Sequence, residues 1–269
     1  MRYALAAVVA LAAGISLSSP QGQQRSAIPF DFSGSTPCGS LVRAFLGIPS
    51  TSKCERVTWQ LRLGSGTFDL QATHGMQAVN APGFAAGAGE VQHRGTWSKG
   101  GTLASYSNSE IYRLLPDRGG RSLELALIDG TLLHILNSST RLLPGDAGWS
   151  YTLTRAAGRA PARQLVPYDS LADFAGDFEG RTSCVELAAL LGNARGDDCT
   201  KLKWGVTLFR DPATGALVYT LDPASGRDTF RLLRADADVL FFLDASGAVL
   251  KGNGAHSYTL NRSARAVTH

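Results

Sequence analysis

The chain has 269 residues, 44% of them hydrophobic, enough for one large domain or two small ones with real cores. Only 18% are charged and the formal net charge is +4, which argues against a long disordered tail, a coiled coil or a nucleic-acid-binding stripe. Glycine occurs 30 times and methionine twice, a balance that favours strands and turns over helical bundles.

The N-terminus opens with the basic Met1-Arg2-Tyr3, then runs uncharged from Ala4 to Leu17 and continues in small residues. This is the pattern of a secretory signal peptide. Cleavage is expected after about residue 18, and as late as about 26. The run is shorter than the roughly 20 apolar residues of a membrane span, and no later run reaches that length. No cysteine lies beside it, so neither a transmembrane span nor a lipid anchor is expected in the mature chain. That chain is predicted to be soluble in a bacterial periplasm or outside the cell.

The sequence then repeats itself. Phe32-Ser33-Gly34-Ser35-Thr36-Pro37-Cys38, Cys54 and Trp59 are matched by Phe178-Glu179-Gly180-Arg181-Thr182-Ser183-Cys184, Cys199 and Trp204. The offset is 146 for the first cysteine and 145 for the second and for the tryptophan. Ser150-Tyr151-Thr152-Leu153-Thr154-Arg155 matches Ser257-Tyr258-Thr259-Leu260-Asn261-Arg262 at an offset of only 107, so 38 residues lack a counterpart in the second repeat. The missing piece is placed between His74 and about Asn108. These matches predict a first repeat over 27–156, an exposed linker over 157–172 and a shorter second repeat over 173–263.

Within each repeat, period-2 alternation dominates. Val57, Trp59, Leu61 and Leu63 fall on one face, with Thr58, Gln60 and Arg62 opposite; Leu202, Trp204, Val206 and Leu208 repeat the pattern. Gly64-Ser65-Gly66 and Asp211-Pro212-Ala213-Thr214-Gly215 read as turns. Further strands are predicted over 91–97, 110–115, 122–127, 131–136 and 149–155, then over 228–233, 239–243 and 256–261. The fold class is therefore all-β, with two tandem small antiparallel β-barrels. The first has enough strands to close. The second could stay open, close as a smaller barrel, or cover its edge with the first. Ser40–Gly47 and Cys184–Gly192 read instead as short helices, each stopped by glycine and each set between two cysteines.

Four cysteines in an exported chain point to disulfides. The repeat selects Cys38–Cys54 and Cys184–Cys199 among the three possible connectivities. A thiolate metal site is the alternative. It lacks a Cys-x-x-Cys, and no histidine lies within four residues of any cysteine.

The segment from Phe32 to Cys38, with Gly47-Ile48, Gly95-Thr96-Trp97 and Tyr112-Arg113-Leu114, resembles the N-terminal domain of the NlpE-like copper-resistance lipoproteins. The resemblance implies a small lipocalin-like barrel and an envelope location. It does not carry metal binding with it: the family's second cysteine would fall at Leu41, and the lipid-attachment cysteine is missing.

Candidate chemistry is sparse. His74, Met76 and His93 offer imidazole and thioether donors suited to copper, though Met76 is the mature chain's sole methionine. The alternative is an ordinary loop entrance. Asp197-Asp198 and Asp236-Ala237-Asp238 lack the ligand spacing of a calcium loop. No hydrolase motif occurs, no catalytic residue is nominated, and His134 falls in an apolar strand aligned with Phe241. Gly83–Gly89 reads as a flexible loop or lid. The expected function is a non-enzymatic exported envelope protein that needs no cofactor. It would bind a small apolar ligand or an envelope protein partner, and no nucleic acid. A copper-binding or copper-sensing protein is the alternative, and an uncharacterised hydrolase the third.

Overall fold

The computed structural model describes residues 30–79, 83–118, 120–158, 176–183, 201–210, 217–222, 231–244, 246 and 248–263. The signal segment, most of the linker, and Cys184 and Cys199 with the second helix lie outside them.

The first eight strands form a closed antiparallel barrel in which neighbours in sequence are neighbours in space. They are β1 (Phe30–Pro37), β2 (Arg56–Leu63), β3 (Thr67–Gly75), β4 (Gly89–Lys99), β5 (Ser109–Pro116), β6 (Leu123–Ile128), β7 (Leu132–Ile135) and β8 (Thr152–Arg155). Alternation works as the sequence predicts on β2: Val57, Trp59, Leu61 and Leu63 are buried, while Gln60 and Arg62 face solvent. Gly66, at φ 78°, turns β2 into β3 in a backbone conformation that glycine adopts without penalty. The barrel closes through Phe32 opposite Arg155 and Ser33 opposite Thr154. At that seam a Cβ on Gly34 would lie 2.8 Å from both the Thr152 carbonyl oxygen and Leu153 Cδ2. Only glycine lets β1 and β8 approach this closely.

One helix, α1 (Ser40–Leu46), packs onto the barrel core with Val42, Phe45 and Leu46 buried. Gly47 ends it in the left-handed conformation, and the Ile48 N–H donates back to the Arg43 carbonyl at 2.9 Å. Phe45 stacks on Trp59 at 6.1 Å between ring centroids, and the Trp59 indole N–H donates to Thr36 Oγ1 at 2.8 Å. The barrel is thus filled by its own side chains, with Phe32, Phe45, Trp59 and Phe68 the largest.

Six further strands build a second sheet: β9 (Gly176–Ser183), β10 (Lys201–Arg210), β11 (Leu217–Asp222), β12 (Arg231–Asp236), β13 (Val239–Leu243) and β14 (Thr259–Arg262). Their spatial order is β11-β10-β9-β14-β13-β12. This is the order β3-β2-β1-β8-β7-β6 of the barrel, without β4 and β5. Among the described residues the sheet is open, with β11 and β12 as its edges. Among the described residues, β4 and β5, over 89–116, have no counterpart in this sheet.

Local details recur at the same spacing. Asn137 Oδ1 accepts the N–H groups of Ser139 and Arg141, as Asp244 Oδ1 accepts those of Ser246 and Ala248. Arg155 lies 4.0 Å over the Phe30 ring and donates to the Gly130 carbonyl. Arg262, 107 residues later, donates likewise to the Ala237 carbonyl, but it lies 4.9 Å over Phe178, which holds the register position of Phe32 rather than of Phe30.

Candidate functional site

The residues suggested for metal binding do not converge. His74 and His93 belong to neighbouring strands, but His93 pairs with Leu70, four residues before His74. At about 3.3 Å per residue they stand roughly 13 Å apart along the sheet. His93 packs on Phe45 with ring centroids 5.8 Å apart. His74 lies over Gly89, and burial, aided by the charge of Arg43, pushes its pKa down. One ring nitrogen of each, His74 Nδ1 and His93 Nε2, is buried without a hydrogen-bond partner. Met76 lies beyond β3 and is 43% exposed. Among the described residues no cluster of three or more His, Cys, Asp or Glu side chains is placed to hold a metal ion. Cys38 and Cys54 form a disulfide with Cα atoms 5.8 Å apart, so these two thiols are not metal ligands.

The groups that do converge lie where the barrel meets the second sheet. An apolar layer of Ala126, Ile128, Leu132, Val239, Phe241 and Val249 joins them. Within the junction His134 is fully buried, its ring edge-on to Phe241 at 5.9 Å. Its Nε2 faces the Leu143 carbonyl at 2.9 Å and therefore carries the proton. Nδ1 then accepts from the Thr152 hydroxyl at 2.8 Å. Thr152 Oγ1 in turn accepts from Ser150 and Thr259, at 2.8 and 3.2 Å. Burial holds the His134 pKa down at about 4, so the ring is neutral at pH 7. Ser150, Thr152 and Thr259 are all buried with it.

Beside it, Asp236 is buried and accepts the Leu142 N–H at 3.1 Å and the Arg141 guanidinium at 3.0 Å. The hydrogen bonds across the junction also come in exchanged pairs. Gly145 N–H donates to Asn261 Oδ1 at 2.9 Å, and Gly252 N–H donates to Thr154 Oγ1 at 3.2 Å. Residues 145 and 252 are 107 apart, as are 154 and 261, and as are the touching pairs His134–Phe241 and Thr152–Thr259.

At the end of β2, Arg56 sits on the outer face of the barrel yet is only 9% exposed. Phe84 from the glycine-rich loop lies 4.4 Å from its guanidinium carbon and Trp149 lies 5.7 Å from it. Arg181 of the second sheet lies 5.9 Å over the same Trp149 ring. Burial lowers the Arg56 pKa, against the opposing pull of Glu55. Alternation in β2 marks Arg56 as outward-facing. Its covering by Phe84 and Trp149 depends on two distant loops and leaves no signal in the local sequence.

A shallow outer depression of about 570 Å³ is lined by Asp31, Arg62, Asp69 and Arg94. These form exposed cross-strand ion pairs of 2.7 and 2.9 Å, of a kind worth about 0–1 kcal/mol each.

No family model, no curated protein and no solved structure matches the chain.

Proposed function

We propose that the chain is a non-enzymatic interaction module of the cell envelope, exported to the periplasm or beyond. In this reading it consists of two divergent lipocalin-like copies, the second lacking a hairpin. It receives an extended segment of a partner protein at the open edge of the second sheet. The observation that carries this is the strand order: among the described residues, six strands are arranged as in the barrel, with edges where the barrel has β4 and β5. An edge strand presents a row of unpaired backbone N–H and C=O groups, and strand addition satisfies them. The disulfide supports export, because such bonds persist in oxidising compartments. Among the described residues no helix is long and apolar enough to cross a membrane. The filled barrel interior favours the interaction role over an apolar ligand held inside it.

The test is a photo-crosslinking side chain placed in the exported full chain at Tyr219 of β11 and, as a control, at Gln71 on the barrel's outer face. A discrete adduct with one envelope protein from position 219 alone is expected. Adducts from both positions, or from neither, would sink the proposal.

The orphaned nitrogens of His74 and His93 favour copper binding as a second reading. Saturable copper uptake that His74→Ala abolishes would support it. Uptake no greater than that of a control protein would remove it.

A further inference from the structure

We infer that Arg56, Trp149 and Arg181 form a binding site for a carboxylate at the junction of barrel and sheet. Arg56 donates through Nη2 to the Gly83 carbonyl at 3.0 Å, but its Nε is buried with no acceptor. The Trp149 indole N–H, in a side chain only 6% exposed, is buried with no acceptor as well. Two orphaned donors therefore lie on side chains that stack against each other, a situation native proteins resolve with a bound water or ion.

The charge balance favours an anion over water. Neither Arg56 nor Arg181 forms an ion pair among the described residues, and the carboxylates nearest them bind backbone amides. Glu55 Oε2 accepts the Gln77 N–H at 3.2 Å, and Asp146 Oδ1 accepts the N–H groups of Gly148 and Trp149. A buried guanidinium that has only the charge of Glu55 nearby, and no ion-pair contact, is costly, and a bound anion offsets that cost. Arg181 adds a second positive charge on the same indole. The shape favours a carboxylate. It is planar, which suits a site walled by the rings of Phe84 and Trp149, and it offers two acceptor oxygens for two donors.

The test uses the exported full chain, with thermal unfolding and tryptophan emission read against sodium acetate, chloride and phosphate at matched ionic strength. Acetate should raise the unfolding midpoint saturably, as a ligand of the folded state does. Arg56→Gln and Trp149→Phe should abolish the shift, and Arg181→Gln should weaken it at least tenfold. Should Arg56→Gln fail to fold, Trp149→Phe and Arg181→Gln give the same readout. No saturable shift with any anion would mean that water occupies the orphaned donors, and would overturn the proposal. A response to phosphate or chloride equal to that of acetate would overturn the carboxylate class. A shift surviving in Arg56→Gln or Trp149→Phe would overturn the site.

Discussion

His134 is held neutral by burial, which outweighs the opposing pull of the Leu143 carbonyl on one nitrogen, while the Thr152 hydroxyl donates to the other. Its folded pKa of about 4 lies below the 6.5 of an unperturbed histidine. Between those values the unfolded chain binds a proton that the folded chain refuses. Stability is therefore full above pH 6.5 and falls as pH drops towards 4, by about 3 kcal/mol in all. Urea unfolding across that window should show the loss in the wild type, and His134→Gln should flatten it while lowering stability at pH 7. Arg43 works by geometry instead. Its guanidinium donates to the carbonyls of Cys38, Pro49, Ser52 and Cys54 at 2.9–3.1 Å, fixing the loop that follows α1. A lysine cannot reproduce that fork. Arg43→Lys should cost about 2 kcal/mol in chemical denaturation, at roughly 1 kcal/mol for each of the hydrogen bonds lost. At this scale the sequence places His134 in the core through its apolar neighbours. The partners of Arg43 and Arg56 are backbone carbonyls and distant rings, which no local pattern encodes.

The helix and the disulfide form one unit, since α1 is tied at both sides by Cys38 and Cys54. Phe45 anchors it against Trp59 and Phe68. Phe45→Ala should destabilise by about 3–5 kcal/mol, the range for removing a buried aromatic ring. Reducing the disulfide should cost about 2–4 kcal/mol, and thermal scans with and without reductant separate the two effects. The helix was legible because good helix formers stop at Gly47. Strand positions were legible from alternation, but their ends were not. The expected strand at 149–155 shortens to Thr152–Arg155 because Asp146 ties Gly148 and Trp149 into a turn.

On the scale of the whole molecule, Asp236 links the two units by accepting the Leu142 N–H from the barrel side. Asp236→Ala leaves that amide unpaired and should cost about 1–3 kcal/mol. Hydrogen exchange at Leu142 should accelerate while exchange in β2 and β3 stays slow. The pattern of matches between Cys38 and Cys184, Trp59 and Trp204, Tyr151 and Tyr258 led to an expectation of two like units, and the described sheet has the order of six of the barrel's strands. It could not say whether the shorter unit would close, because closure depends on strand number and on what lies against the edge. Nor did it show that residues aligned in the sequence, such as Thr152 and Thr259, would meet face to face. The exchanged pairs Gly145–Asn261 and Gly252–Thr154 are what a two-fold homodimer would show, here within a single chain. Joined covalently, the halves meet at an effective concentration that dilution does not change. The same self-matching face has a cost in crowded refolding. A half whose own partner is late can dock with that of a neighbouring molecule, so domain-swapped dimers should accumulate as protein concentration rises during refolding and be absent when the chain refolds dilute.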